Sequence, residues 1–279
     1  MTSLTLPSRF RVRAFTLIEL LTVIAIVGIL AAIVIPTVGG VRNSAKKTKT
    51  RIQFTQWSAG IRTFKQVYGF YPRFELTGGK HKVNGALKAT GSGSDDMGDS
   101  DYLFRELLAG KGAKTLSGGG FEFASAEKDT SSSKQNSKRQ TFVSFDSTEI
   151  APPTNDSPVA SSANLPLKAD NVTVKGAGAV IDVFGNVDIA VIVDRNNDGF
   201  INDSDLAAGV SQFPTVVAKN GDGTLNTAII EKRIYSINSS NVKTEPNGVR
   251  ADVIFYSPGK GAGVSTSSSI PESDAVWSW

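Results

Sequence analysis

The chain has no cysteine and a single histidine in 279 residues. Without thiols there is no disulfide, no zinc thiolate site and no cysteine nucleophile. With one imidazole, a histidine triad or a multi-histidine metal site within the chain is excluded. That histidine, His81, sits in Gly78-Gly79-Lys80-His81-Lys82 and is expected at the surface among its turn-forming and charged neighbours. There is no Gly-rich phosphate loop and no Gly-x-Ser-x-Gly nucleophile elbow. The acidic pairs Asp95-Asp96 and Asp99-x-Asp101 read as solvated loop, so the chain is not expected to be an enzyme. Net charge is also scarce. The formal +4 includes Arg9, Arg11 and Arg13; taking these three from the 30 basic residues leaves 27 against 26 acidic ones. No basic patch for a nucleic acid follows from that balance.

What the chain does have is one long apolar run. Phe15 to Val38 is 24 residues with a single charge, Glu19. About 20 apolar residues suffice to cross a bilayer as a helix. A secretory signal peptide has a shorter apolar core and a small-residue cleavage site after it. The arginines before the run keep the N-terminus cytoplasmic and send the rest across. A carboxylate in such a helix costs up to about 3 kcal/mol near the bilayer centre and less near an end. By itself Glu19 is either an interfacial acid reaching the headgroups or a residue with a use.

The helical pattern continues beyond the apolar run. Val41 to Val67 has no proline and one glycine, Gly60, with apolar residues at Ile52, Phe54, Trp57, Ile61, Phe64 and Val67. The expected helix, Phe15 to about Val67, is roughly 80 Å long at 1.5 Å per residue. Its membrane half is 15–38 and its soluble half 39–67, the latter laying an apolar stripe on a domain. Pro36 and Gly39-Gly40 are expected kink points. Tyr68-Gly69-Phe70-Tyr71-Pro72 ends it.

Residues 68–176 read as a loop-rich variable region. A short helix is expected near 100–108, capped by Asp99 or Ser100 and stopped by Gly110. One strand candidate lies at 141–145, and the remainder of 111–176 is expected to be irregular. Residues 177–279 read as antiparallel β-structure, with strands at 180–184, 187–193, 227–237 and 251–256. Gly185-Asn186 and Asn220-Gly221-Asp222-Gly223 are turn signals. The fold class is therefore α+β: a long N-terminal helix packed on a small antiparallel sheet.

Asp194-x-Asn196-x-Asp198-Gly199-Phe200-Ile201-Asn202-x-x-Asp205 has the spacing of a calcium-binding loop. Asp194, Asn196 and Asp198 occupy the first, third and fifth positions, and Gly199 allows the sharp turn. Phe200 would ligate through its carbonyl, and Asn202 and Asp205 complete the set. The entering segment is strand-like, so this is not a helix–loop–helix pair. The competing reading is a polar hairpin tip with Asn197-Asp198-Gly199 as its turn.

The start of the chain resembles the prepilin N-terminus of type IV pilin-like proteins: a basic leader, a small residue, then Phe15-Thr16-Leu17-Ile18-Glu19-Leu20-Leu21. The resemblance implies a leader of residues 1–14, cleavage by prepilin peptidase between Ala14 and Phe15, and N-methylation of Phe15. It implies an assembly role for Glu19, the fifth residue after the cut, and Pro36 falls where many family helices carry a proline. The family usually has Gly before the cut; here it is Ala14.

Looser matches resemble the major pseudopilins of type II secretion systems: Tyr71-Pro72, Asp182-Val183-Phe184-Gly185-Asn186, Tyr256-Ser257-Pro258-Gly259 and the ending Ser273-Asp274-Ala275-Val276-Trp277-Ser278-Trp279. The family's own calcium loop lies nearer the tail and is not carried over. The resemblance implies a bacterial inner-membrane protein with a periplasmic C-terminal domain. Its implied partners are other copies in a helical filament, the peptidase, and the platform protein and assembly ATPase of a secretion or pilus machine. The alternatives are a pilin-anchored adhesin or binding module, and a minor pilin of a type IV pilus or DNA-uptake filament.

Overall fold

A computed structural model describes residues 16–74, 81, 83, 103–115, 121–124, 135–151, 179–206, 210, 212–218, 223–237, 243–244, 248–261 and 269–279. The backbone is helical throughout α1, Leu17–Tyr68. It bends at 34–37, the segment containing Pro36, whose missing N–H removes a helical hydrogen bond. The chain forms two compact units, Met1–Ala45 and Lys46–Trp279.

In the larger unit, β3 (Ala190–Val193) pairs antiparallel with β8 (Val253–Ser257), and β8 pairs with β9 (Val276–Trp277). All of β3 and β8 is buried. Because strand side chains alternate, the sheet feeds two cores. Val191, Val193, Val253, Phe255 and Val276 face one that contains Phe54, Trp57, Ile61 and Phe64 of α1. Ala190, Ile192, Ile254, Tyr256 and Trp277 face the other, with Phe213, Ile230 and Ile234. The expected helix on a small antiparallel sheet is present, and a further layer covers the sheet's second face. Of the six apolar residues expected along the soluble half of α1, the four just named are buried, while Ile52 and Val67 are exposed.

Around this centre lie α2 (Leu103–Ala109) and the hairpins β1 (Gly112–Thr115) with β2 (Phe121–Ala124), β4 (Val216–Val217) with β5 (Thr224–Leu225), and β6 (Ser236–Ile237) with β7 (Lys243–Thr244). The short helix expected near 100–108 is α2, and its expected caps Asp99 and Ser100 lie outside the described residues. The expected irregularity of 111–176 fails at the β1–β2 hairpin.

Four further expectations are corrected. The strand read at 227–237 is mostly a helix, α3 (Thr227–Ile234). Asn226 caps it by accepting from the Ile229 N–H at 3.2 Å, and Ile230 and Ile234, one turn apart, are buried. The β-branched residues there serve a helical face. At 180–184 only Val180 bridges, to Ile150, before the chain turns. Residues 141–145 form no strand; the Phe142 and Val143 N–H groups both donate to the Leu108 carbonyl, at 2.7 and 3.0 Å. His81 is buried rather than at the surface, at 1 % exposure. Its carbonyl accepts from Val191 N–H at 2.9 Å, and Val83 N–H donates to Ile189 at 2.8 Å. Residues 81 and 83 therefore cover the edge of β3 that β8 leaves open.

At Gly60 α1 comes close to the 142–143 segment. A Cβ there would stand 2.2 Å from Val143 Cγ2 and 3.1 Å from the Phe142 carbonyl oxygen. In an open helix, Gly to Ala gains about 1 kcal/mol; overpacking costs about 1–3 kcal/mol. Gly60→Ala is expected to lower the melting temperature. Thermal melts of the double-mutant cycle should show it costing less in a Val143→Ala background.

Burial, with Arg195 nearby, pushes the His81 imidazole down from 6.5 to about 4. The folded state then binds fewer protons than the unfolded one between those values. The stability held by neutral His81 is complete above about pH 6.5 and is lost progressively as pH falls toward 4, on the order of 2–3 kcal/mol. Melts across that range should show a smaller acid loss in His81→Gln than in the parent; equal slopes would refute it.

Candidate functional site

Three places carry the residues singled out by sequence. The first is the start of α1. Ala14 and Phe15, and the whole 1–14 leader, lie outside the described residues. Thr16 and Glu19 form a reciprocal cap: Thr16 N–H donates to Glu19 Oε2 at 2.9 Å, its hydroxyl donates to the same oxygen at 2.7 Å, and Glu19 N–H donates to Thr16 Oγ1 at 3.3 Å. This is the capping-box pattern, Thr-x-x-Glu, which the sequence carries complete in four residues. The carboxylate satisfies donors at the helix end, where four N–H groups lack intrahelical partners.

Apart from Glu19, the helix carries no charge from Leu17 to Val41 and has apolar residues on all sides. Leu17 is 81 % exposed, Ile24 61 %, Ile35 72 % and Val41 67 %. In α1 the first fully buried residue is Thr50. Among the described residues no single helix is long and apolar enough to cross a membrane. The bent pair Leu17–Ile33 and Val38–Tyr68 qualifies together by length and composition.

Residues 9–35 match the family model of the prokaryotic N-terminal methylation motif. The chain starts as a type IV pilin-like prepilin does. Such a motif is what prepilin peptidase processes, and with the apolar helix behind it points to membrane anchoring and a structural subunit. No curated protein and no solved structure matches the chain.

The second place joins three of the pieces that resemble pseudopilins. Asp182 Oδ1 accepts from the Phe184 and Asn186 N–H groups at 2.9 and 2.8 Å. Its Oδ2 accepts from Asn186 Nδ2 and Ser257 Oγ, both at 2.8 Å. Asn186 Nδ2 also donates to the Gly259 carbonyl at 2.7 Å. The tail closes over this turn, since Lys260 N–H donates to the Asp274 carbonyl at 3.4 Å. Burial pushes the Asp182 carboxyl up, against the lowering effect of these four donors. The side chain is walled in and its acceptors are used, so this is a structural knot rather than a reactive group.

The third place is the 194–205 loop between β3 and the segment before β4. Gly199, at φ +84°, makes the sharp turn, and its N–H donates to Asp194 Oδ2 at 2.9 Å. Asp198 N–H donates to Asn196 Oδ1 at 3.0 Å, and Phe200 N–H to Asp198 Oδ1 at 2.8 Å. Ile201 forms an antiparallel bridge with Val249. Asn202 and Asp205 make a second capping box around the short 3-10 turn Asp203–Asp205. Asp205 Oδ1 accepts from Arg195 N–H at 2.8 Å and its Oδ2 from Asn202 N–H at 2.9 Å. Burial raises the Asp205 carboxyl, the two N–H donors lower it, and the nearby Asp194 raises it again. Tyr235, at the end of α3, donates to Asp203 Oδ1 at 2.6 Å; burial first, and this bond second, raise its phenol.

The loop brings Asp194, Asn196, Asp198, Phe200, Asn202 and Asp205 into one compact turn. Among the described residues no three His, Cys, Asp or Glu side chains are grouped to hold a metal ion. The other oxygens here belong to Asn side chains and the backbone, donors that calcium accepts readily.

Proposed function

We propose that the chain is a structural subunit of a type IV pilin-like filament, in the class of the type II secretion pseudopilus or a related pilus. One observation carries this: a prepilin-type N-terminus leads into a helix whose apolar residues are exposed all round, while the body has two cores of its own. Apolar surface of that extent is not stable in water. Before assembly a bilayer covers it, and after assembly the same surfaces of other copies do. Prepilin peptidase removes residues 1–14 at Ala14/Phe15, and Phe15 is methylated. The arginines of the leader hold the N-terminus in the cytoplasm and the body goes to the periplasm. A platform protein and an assembly ATPase in the inner membrane are the partners such assembly needs. The convergence of 182–186, 256–259 and the tail supports the pseudopilin subclass over the other filaments.

In this reading Glu19 has two uses. It caps its own helix with Thr16, and its charge pairs with the Phe15 amine of a neighbouring subunit, which is favoured where isolated charges are expensive.

Two outcomes are expected. Intact-mass analysis of membrane-extracted protein from cells with active prepilin peptidase should show loss of residues 1–14 and one added methyl; a mature chain beginning at Met1 would sink the assignment. Glu19→Gln keeps an oxygen for the Thr16 cap but loses the charge, whereas Glu19→Leu loses both. Both should still insert in the membrane, and both should be depleted at least tenfold from sheared filaments. Normal incorporation of Glu19→Gln would mean that capping, not charge, is what assembly requires.

A further inference from the structure

We propose that Lys46, Lys47, Lys49 and Arg51 form a basic collar on α1 that docks the body on anionic phospholipid headgroups, with a seat for a lipid phosphate beside the C-terminal tail. The proposal deepens the filament reading and rests on one part of it, the burial of 15–38 in a bilayer. The observation that carries it is a separation of charge. Residues 38–68 hold seven basic side chains and no acid, whereas 69–279 hold 20 basic against 25 acidic. Four of the seven fall within 46–51, just beyond the end of the apolar run at Val38. A helix face that is only solvated mixes its signs and gains from opposite charges four apart. Here Lys47 and Arg51 are like charges four apart, which destabilises a helix. Among the described residues the ion pairs are Arg62 with Asp252 and Arg233 with Glu272. No carboxylate there answers the collar: Lys46 lies over the Phe184 ring at 5.5 Å, and Lys47 donates to the Ser273 carbonyl. Lys46, Lys49 and Arg51 are exposed.

The placement of these cations selects the partner. At about 3.6 residues per turn, Lys46 stands one turn before the buried Thr50, on the side of α1 that packs on the body. Lys49 flanks it on one side, and Lys47 and Arg51, four apart, share the other. Charge therefore surrounds the helix at one level. A protein partner covers one side of a helix, whereas a headgroup layer surrounds a helix that leaves it. Helical side chains also lean toward the helix N-terminus, which along the chain is the direction of the apolar run. Long cationic side chains reach a bilayer surface in this way while their stems stay on the helix. After export the collar stands where the positive-inside bias is against it, so orientation does not account for it. The net-acidic remainder of the body is repelled by the same anionic surface, and the collar end alone is drawn to it.

The collar continues into a cleft of about 510 Å³, which Lys47 and Arg51 line together with Arg233, Glu272, Ser273 and Trp277. Arg233, on α3, pairs with Glu272 at 3.3 Å and lies over the Trp277 ring at 5.6 Å. Three cations against one carboxylate leave the cleft positive. Arg233 is committed to Glu272; the Arg51 guanidinium has no such partner among the described residues and is the fork open to phosphate oxygens. Lys47 adds a point charge at the same wall. A phosphodiester carrying one negative charge, as in phosphatidylglycerol, matches that excess.

The test reconstitutes the full chain in nanodiscs of equal phosphatidylcholine and phosphatidylglycerol, and native mass spectrometry then identifies the lipids it retains. One cation near an anionic surface corresponds to about a fivefold change in binding. The parent is expected to retain phosphatidylglycerol over phosphatidylcholine by about fivefold or more. That preference should fall at an ionic strength of about 1 M, where the Debye length is about 3 Å. The variant K46Q/K47Q/K49Q/R51Q should lose it, and K46R/K47R/K49R should keep it. R9Q/R11Q/R13Q, which alters the leader on the other side of the bilayer, should keep it too. Inorganic phosphate in millimolar excess should not displace the lipid; displacement would make the cleft a free-anion site and overturn the docking. A parent that inserts but retains both lipids equally, or a glutamine variant with the parental preference, would also overturn it. If the parent shows no preference and the glutamine variant drops out of filaments, the collar's partner is the acidic surface of another copy and lipid docking is refuted. A chain that fails to enter the nanodisc refutes the bilayer reading and this proposal with it. Failure of cleavage at Ala14/Phe15 in cells bears on the filament reading alone, because the nanodisc assay contains no peptidase.

Discussion

Trp57 lies among Phe54, Phe104 and Phe255, with ring centroids 5.6, 5.4 and 5.6 Å away, and the body depends on this contact. It joins α1 to β8 and to α2 in one cluster. Truncating a buried aromatic costs about 3–5 kcal/mol, against a total of about 5–15 kcal/mol for an ordinary domain. No disulfide shares the burden. Because β3 and β8 are buried on both faces, the contact also reaches the second core: Phe255 looks toward α1, while its neighbours Ile254 and Tyr256 look the other way. A shift of α1 on the sheet would disturb both layers. The Gly60 contact with the 142–143 turn works in the same direction, since it lets α1 come close enough for the aromatic cluster to form.

The same helix carries two kinds of surface. From Thr50 on, its buried residues recur on one face and Arg51, Arg62 and Gln66 stand outside. Toward the N-terminus the apolar residues recur on every side, and Leu17, Leu21, Ile24, Ile29, Ile33 and Ile35 are all exposed. Each Leu, Ile or Val fully removed from water contributes about 1.5–3 kcal/mol, so a dozen such residues outweigh the stability of the body itself. The demand for a bilayer or for neighbouring copies is therefore set by composition along one helix. Glu19 is the exception in that stretch. The Thr16 cap lowers its cost in the lone chain, because the carboxylate replaces lost solvation with two short donor contacts from one residue.

The parts of this architecture that were legible in sequence are those governed by a short period or by a fixed spacing. Phe54, Trp57, Ile61 and Phe64 announce a buried helical face, and the core strands announce themselves by runs of Val and Ile. The N-terminal motif is legible because processing reads the sequence itself. The misses have a common cause: they are places where local composition and tertiary setting disagree. Ile229, Ile230, Ile234 and Tyr235 have strand-like composition, yet the Asn226 cap and the one-turn spacing of Ile230 and Ile234 make a helix of the segment. His81 has the neighbours of a surface residue, yet the open edge of β3 takes its backbone and carries its side chain inside. Thr16–Glu19, by contrast, is a purely local pattern, complete in four residues as a capping box.

A chain without cysteine still has to pin its C-terminal segments, and Asp182 does this with hydrogen bonds. Four donors from three residues converge on one carboxylate, and the Asn186 amide passes the link on to the Gly259 carbonyl. Segments 75 residues apart in sequence are held by a network whose acceptors are all used. Such a knot is strong only when complete: removing one partner leaves a buried polar group without its bond, at about 1–3 kcal/mol, and more where the group is charged. It differs from a disulfide in that it gives nothing until the chain is folded, because it places no constraint on the unfolded ensemble. The Asp182 turn fixes which way the tail crosses the sheet, with β9 against β8 and Trp277 against Tyr256 at 5.8 Å between ring centroids.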